Sequence, residues 1–392
     1  MEYRELGSLV DRKIGYGIVQ PGQSVSGGVP VIKVNNIISG LYEISDLETT
    51  TLENDSKHSR TRLNGGELIV SVVGTIGKTA IVPSEFAGCN LVRATALIDI
   101  KSKWLTSWVK YYIDSKYGQD YIHQNLNTTV QPTLNIKSLV EMPIPFFDQV
   151  YMEKAVGILA SIDQRIENNK KINNNLEQQA RTLFKSWFVD FDPFDGRMPK
   201  EWTPGKLKDI LKLNRRSIKA GENKLLPYLP IDVIPMHTFA LTEFRPNEEA
   251  QSSLITFNKD DIVIGAMRVY FHRVIIAPCD GITRTTCFTL SPYDCNYLAF
   301  GLLCCDQESS IEYAQTTSKG STMPYAVWDG GLGDMEIVIP TEEVASNFNE
   351  LVMPMIRQIQ NSYYENAALR ELRDSLLPRL MNGEIDLTDV TI

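Results

Sequence analysis

The segment "ILASIDQRIENNKKINNNLEQQARTLFKSWF", residues 158–188, sets the reading of the whole chain. Leu159, Ile162, Ile166, Leu176, Ala180, Leu183 and Trp187 fall on a 3-4-3-4 frame with Asn169 and Asn173 at its middle. Such spacing is the seam of a coiled coil, narrower than the stripe of a helix packed into a domain. Residues 147–191 hold no proline and one glycine, so nothing breaks the helix. At 1.5 Å per residue, about 40 residues span roughly 60 Å, too long for the inside of one domain. The helix is read as a spacer.

The same frame returns 193 positions later, at Val352, Met355, Ile359, Ser362, Asn366, Leu369, Arg373, Leu376 and Leu380. Asp148 and Thr341 suit N-caps, each just after an Ile-Pro step, and Asn382-Gly383 suits a stop. The segments before the helices also correspond. "GELIVSVVGTIGKTAIVP" (66–83) matches "DDIVIGAMRVYFHRVIIAP" (260–278), both reading strand, loop, strand, proline. "LVRATALID" (91–99) matches "ITRTTCFTL" (282–290), which sets Arg93 opposite Arg284. A helix at about 104–123 matches one at 297–316, and "TTVQPTL" (128–134) matches "GSTMPYA" (320–326).

The expected fold class is therefore α+β. Two mixed α/β domains, 1–147 and 194–340, alternate with spacer helices at 148–193 and 341–392. Matching seams predict an antiparallel coiled coil and a pseudo-twofold internal repeat. Its seam is Leu159, Ile162, Ile166, Asn173, Leu176 and Leu183 with Val352, Met355, Ile359, Asn366, Leu369 and Leu376. Asn173 and Asn366 are expected to form a buried amide pair that fixes register; the alternative is a tolerated polar position near solvent.

Hydrophobic content of 43% and charged content of 22% are those of an ordinary soluble protein, and 392 residues suffice for two cores. "MEYRELGSLV" lacks the pattern of a signal peptide, and no apolar run reaches the ~20 residues of a membrane span. A cytoplasmic location with reduced thiols is expected. Five of the six cysteines (Cys279, Cys287, Cys295, Cys304 and Cys305) crowd together without a C-x-x-C pair. Shifted back through the repeat, Cys287, Cys304 and Cys305 fall on Ala94, Tyr111 and Tyr112, so they read as packing atoms. The net charge of −9 speaks against a protein that merely coats DNA. Residues 206–224 nevertheless carry seven basic side chains against two acids, either a patch or a solvated face.

Catalytic patterns are missing. "VVGTIGKT" (72–79) imitates a phosphate loop, but Val72 stands where the first glycine belongs, and "AIVP" comes next where a helix is required. Asp192-Pro193-Phe194 lacks the second proline of an adenine methyltransferase motif. "DGGLGD" (329–334) precedes a strand, the wrong order for a cofactor turn. Asp99-Ile100-Lys101, part of a nuclease pattern, has Leu290-Ser291-Pro292 as its twin. His58, His123, His237 and His272 are scattered. No catalytic residue and no metal site is expected.

"PIPFFDQ" (143–149), "LEQQARTLFKSWFVDFDPF" (176–194) and "LRELRDSLLPRLMNGEIDL" (369–387) make the chain resemble the specificity subunit of a Type I restriction-modification enzyme. The resemblance covers the whole chain and is sharpest in the helices; Asp148 stands where the family usually has Glu. It implies that each globular domain is a target recognition domain reading half of a bipartite, asymmetric DNA site. The helices would set the spacing and dock two methyltransferase subunits, and through them the restriction and translocation subunits. S-adenosylmethionine, ATP and Mg would be used by those partners, with no cofactor on this chain and no membrane.

Base edges and phosphates call for Arg, Lys, Asn, Gln or hydroxyl side chains on projecting loops. The candidates are Lys33, Asn35, Asn36, Lys78, Arg93, Thr128 and Gln131 in the first domain. In the second they are Arg215, Arg216, Arg268, Arg273, Arg284, Lys319 and Tyr325. For each the competing reading is a solvated charge. Trp187 and Phe188 are expected to pack on the following domain or to meet a partner. A structural coiled-coil adaptor and a fused nuclease or methyltransferase are the alternative functions.

Overall fold

The computed structural model describes residues 2–39, 44–100, 102–127 and 132–390. The chain forms two compact units, Met1–Asp163 with Arg370–Ile392, and Gln164–Leu369. The architecture is α+β.

In the first unit a four-stranded antiparallel sheet runs in the order Arg12–Tyr16, Thr95–Asp99, Leu68–Ser71, Thr79–Ile81. The centres of its inner strands are buried on both faces, which explains the apolar runs Leu68, Ile69, Val70 and Ala96, Leu97, Ile98. Because side chains alternate along a strand, Leu68, Val70, Ala96 and Ile98 enter a core with Trp108, Leu159 and Leu377. Ile69 and Leu97 enter a second core with Ile32, Phe86 and Leu91. Glu2–Glu5 pairs with Pro143–Phe146, just ahead of the first long helix.

The second unit repeats this plan strand by strand. Its sheet is ordered Leu211–Leu213, Cys287–Pro292, Ile262–Gly265, Val274–Ile276. Ile262, Ile264, Phe288 and Leu290 face one core, Val263, Ile275 and Cys287 the other. Thr203–Lys206 pairs with Glu336–Ile339 ahead of the second long helix. Cys287, Cys304 and Cys305 are core residues, and burial pushes the Cys287 thiol up to about 11.

Two sequence expectations need correction. The helix expected at 104–123 is two, Lys103–Asp114 and Lys116–Gln124, as is its twin, Leu298–Asp306 and Glu308–Thr316. Ser115 has extended backbone, and its Oγ accepts from the Gly118 N–H at 3.4 Å, starting a new helix. Second, Ser71 pairs with Thr95 and Gly265 with Cys287. Arg93 therefore corresponds to Thr285, and Arg284 sits one residue earlier; matching arginine to arginine slipped the register by one.

The long helices are Gln149–Phe188 and Glu342–Met381. Asp148 Oδ1 accepts from the Val150 N–H at 2.9 Å, as an N-cap should. Gly383, at φ 71°, ends the second helix in the left-handed region. Every seam position is buried or half-buried. Within the first unit Tyr151 Oη donates to the Leu380 carbonyl (3.0 Å) and Arg373 to Asp163 (3.1 Å). Within the second, Arg165 pairs with Glu365 (2.6 Å) and Phe184 packs against Phe348. Rising numbers on one helix meet falling numbers on the other, so the pairing is antiparallel.

That polarity decides the polar layer. Asn169 Nδ2 donates to Asn366 Oδ1 at 2.9 Å and to Glu365 at 2.9 Å. The amide pair is thus Asn169–Asn366, not Asn173–Asn366, because positions equivalent by repeat do not face each other when the two helices run oppositely. The repeat-mate of Asn169 is Ser362, whose hydroxyl donates back to the Gln358 carbonyl at 3.0 Å. Asn173, 5% exposed, is left with Oδ1 unpartnered among the described residues. Replacing Asn173 with Leu is expected to raise stability by about 1–2 kcal/mol, since an unsatisfied buried acceptor is lost. Asn366→Ala, which removes one of the two acceptors of the buried Asn169 amide and leaves Glu365, lowers it by about 1–3 kcal/mol. Urea unfolding of both variants checks the opposite signs; equal losses would sink the assignment.

Candidate nucleic-acid interface

The two matching four-stranded sheets are each covered on both faces, so a ligand meets the turns between their strands. In the first unit the turn is "VVGTIGK", residues 72–78. The Gly77 N–H donates to the Ser71 carbonyl at 2.9 Å and the Lys78 N–H to Ser71 Oγ at 2.8 Å. Gly74 (φ 78°) and Gly77 (φ 82°) supply the left-handed backbone such a tight return needs. The turn leads into the strand Thr79–Ile81 and not into a helix, so it has no helix N-terminus for phosphates. Lys78 is exposed and borders a cleft with Lys110, Asp114, Asp163 and Arg373.

In the second unit the equivalent turn carries no glycine. Arg268 (φ 50°) and His272 (φ 48°) take the left-handed conformation themselves, on either side of Val269–Phe271. Non-glycine residues there carry a conformational cost that the surroundings must hold in place. The Arg268 N–H donates to the Pro324 carbonyl at 2.8 Å, and Met267 bridges to Tyr325, as Val73 bridges to Thr133 in the first unit. Lys319 and Tyr325 exchange backbone N–H···O bonds of 2.9 Å each. These ties hold the 319–325 segment against the turn that follows the inner strand Ile262–Gly265.

The result is a cleft of about 600 Å³, bordered by Arg215, Lys319, Tyr325 and Trp328. Ser217, Ser253 and Thr285 add hydroxyls to its wall; Leu213, Ile255 and Phe288 make it apolar. Arg215 is exposed and paired with Asp329 at 2.6 Å. The structure thus gathers Arg215, Lys319 and Tyr325 around one concavity and fastens the exposed Arg268 beside it through Pro324. Arg216 and Arg284 are exposed next to the lining residues Arg215 and Thr285.

Arg273 belongs elsewhere. Its guanidinium donates to the carbonyls of Ile231 and Ile234 and lies over the Phe271 ring at 5.5 Å, so its Nη1 is engaged inside the domain. In the first unit Lys33 pairs with Glu48 at 2.5 Å, and Asn36 Oδ1 accepts from the Lys33 N–H at 2.8 Å. That bond starts the short helix Val34–Ser39, which also carries Asn35. Arg93 is exposed in the turn before Thr95–Asp99. Thr128 and Gln131 lie outside the described residues. Trp187 and Phe188 pack among Phe194, Trp202, Phe300 and Phe348 within the second unit.

Sequence reasoning missed Thr285, Ser217, Ser253 and Trp328; the ladder register alone would have flagged Thr285 as the twin of Arg93. It also missed a buried charge cluster built from residues remote in sequence. Arg181 of the long helix pairs with Asp306 at 2.7 Å and lies 3.5 Å from Glu177. His272 faces Asp306 at 3.0 Å and Glu308 at 3.3 Å, with the His237 ring 4.7 Å away. Burial disfavours the imidazolium, but hydrogen bonding and charge from Asp306, with Glu308, raise its pKa above the ordinary 6.5. Among the described residues no cluster of three or more His, Cys, Asp or Glu is arranged for a metal, and no helix is long and apolar enough to cross a membrane.

Residues 1–178 match the model of the Type I restriction modification DNA specificity domain. Over 315 residues the chain is 25% identical to the MjaIX specificity subunit of Methanocaldococcus jannaschii, covering 73% of this chain and 70% of that one. It is 24% identical to the HindI specificity subunit of Haemophilus influenzae over 359 residues, covering 71% and 74%. The specificity subunit of a Type I system from M. genitalium shares the fold, with a TM-score of 0.58 at 15% identity over 96% of this chain and 95% of that one.

Proposed function

Because the chain belongs to the family of Type I restriction-modification specificity subunits, we propose that it is the non-catalytic, DNA-reading subunit of such a complex. One observation carries the finer reading. The two units share a frame strand by strand but present chemically different turns: "VVGTIGK" in one, "MRVYFHR" in the other. A repeated frame with unlike contact surfaces suits two different half-sites, where identical surfaces would suit a palindrome. Each recognition domain reads one half of a bipartite, asymmetric sequence. The long helices set the gap and dock two methyltransferase subunits, which in turn recruit the restriction and translocation subunits. Methylation with S-adenosylmethionine and ATP- and Mg-dependent cleavage belong to those partners, and this chain binds no cofactor of its own.

Reconstitution with a methyltransferase subunit, followed by mapping of methylated adenines, tests this. A split motif with a constant gap is the expected outcome. Methylation without sequence preference would leave a coiled-coil adaptor, and turnover by the isolated chain would leave a fused enzyme.

A further inference from the structure

If the second domain reads DNA, as proposed above, its cleft has a further use. The concavity at Arg215, Lys319, Tyr325 and Trp328 encloses about 600 Å³. Volumes of roughly 300–1,000 Å³ suit small ligands and exclude a duplex, but they accommodate one nucleotide. The lining divides as a nucleotide does. Phe288, Ile255 and Leu213 offer apolar surface to a base, and the Tyr325 ring, 46% exposed, stands free to stack on it. Ser217, Ser253 and Thr285 offer hydroxyls to polar base edges. Arg215 and Lys319 are cations at the same cleft, with exposed Arg216 and Arg268 close by in the chain and through Pro324. Among the described lining residues Asp329 is the one acid, and it is neutralised by Arg215 at 2.6 Å.

We propose that this cleft is a nucleotide pocket that takes one nucleotide of the bound duplex out of the base stack. Unstacking a base costs about as much as stacking it on an aromatic ring returns, so Tyr325 offsets the extrusion and the cations hold the flanking phosphates. The cleft at Lys78 in the first unit is of another kind: Asp114, Asp163 and Asp374 in its wall stand against Lys78, Lys110 and Arg373, so its charges are balanced within the cleft.

The test uses the full chain reconstituted with a methyltransferase subunit, on a duplex whose methylated adenines have been mapped. 2-Aminopurine replaces each base in turn in and beside the half-site read by the second domain, methylated adenines excepted. Permanganate oxidation of thymine at the same positions reports unstacking where a stacked ring quenches fluorescence. One position is expected to become several-fold brighter or more reactive on binding. Tyr325→Ala should abolish that signal and Tyr325→Phe keep it, while urea unfolding of both variants, unchanged from that of the parent chain, shows that they fold. If Arg215→Ala and Lys319→Ala weaken DNA binding yet no position is unstacked, the pocket is overturned and the proposed function stands. If neither variant affects binding or methylation, the cleft is not a DNA surface at all. Saturable binding of free deoxyadenosine monophosphate with no extrusion in the duplex also overturns the proposal.

Discussion

Asp306→Ala is expected to destabilise the second unit by about 3–5 kcal/mol, the usual cost of removing one partner from a buried charge pair. Asp306 is 4% exposed and serves two partners: the Arg181 guanidinium at 2.7 Å and the His272 imidazole at 3.0 Å. Once it is gone, Arg181 keeps Glu177 at 3.5 Å and the His237 carbonyl at 3.2 Å, and His272 keeps Glu308, an exposed group, at 3.3 Å. The lower end of the range is expected, since Glu177 still offsets part of the arginine charge. Urea unfolding measures it, and a loss below about 1 kcal/mol would mean that the cluster is solvated in solution. The same residue governs a pH effect. The folded-state pKa of His272 lies above 6.5, so the stabilisation it brings is complete below pH 6.5. It is lost as pH rises through the raised folded value. Asp306→Ala should flatten this fall, and His272→Gln should abolish it. A slope above pH 6.5 that survives both changes would assign the titration to another group.

The helices and the repeat were legible because their signal is local and periodic. A 3-4-3-4 frame needs no knowledge of what lies across from it, and "LIVS" and "IVIG" read as buried strands from their own composition. The illegible part depends on opposition. The Asn169–Asn366 pair results from antiparallel numbering, which the repeat disguises by aligning Asn173 with Asn366. The equivalence of Arg93 with Thr285 comes from the ladder, and a shared arginine one residue away hid it. The nucleic-acid candidates were chosen by residue type, and the surface sorted them by geometry. Arg215, Lys319 and Tyr325 share a cleft, whereas Arg273 has the same chemistry but spends it on the Ile231 and Ile234 carbonyls. Nothing in the order 181, 272, 306 announces that Arg181, His272 and Asp306 meet, because no local pattern links a spacer helix to a hairpin and a helix end.

That sorting yields the second large effect. Replacing Arg215 and Lys319 together with Ala is expected to weaken DNA binding by the reconstituted complex by about 10–100-fold at moderate salt, as two phosphate contacts are lost. The salt dependence discriminates better than the affinity. Each phosphate neutralised contributes about 0.9 to the slope of log K against log salt, so the double variant should be shallower by about 2. Phosphate contacts position without specifying, so the methylated motif should stay the same while binding weakens across sequences. A relaxed base at one position would instead make Arg215 a base reader. Arg273→Gln provides the contrast: it breaks internal bonds and should lower stability while leaving the salt slope unchanged. If Arg273→Gln flattened the slope and the double variant did not, the DNA surface would lie on the far side of the turn, and the cleft would have to be read as packing.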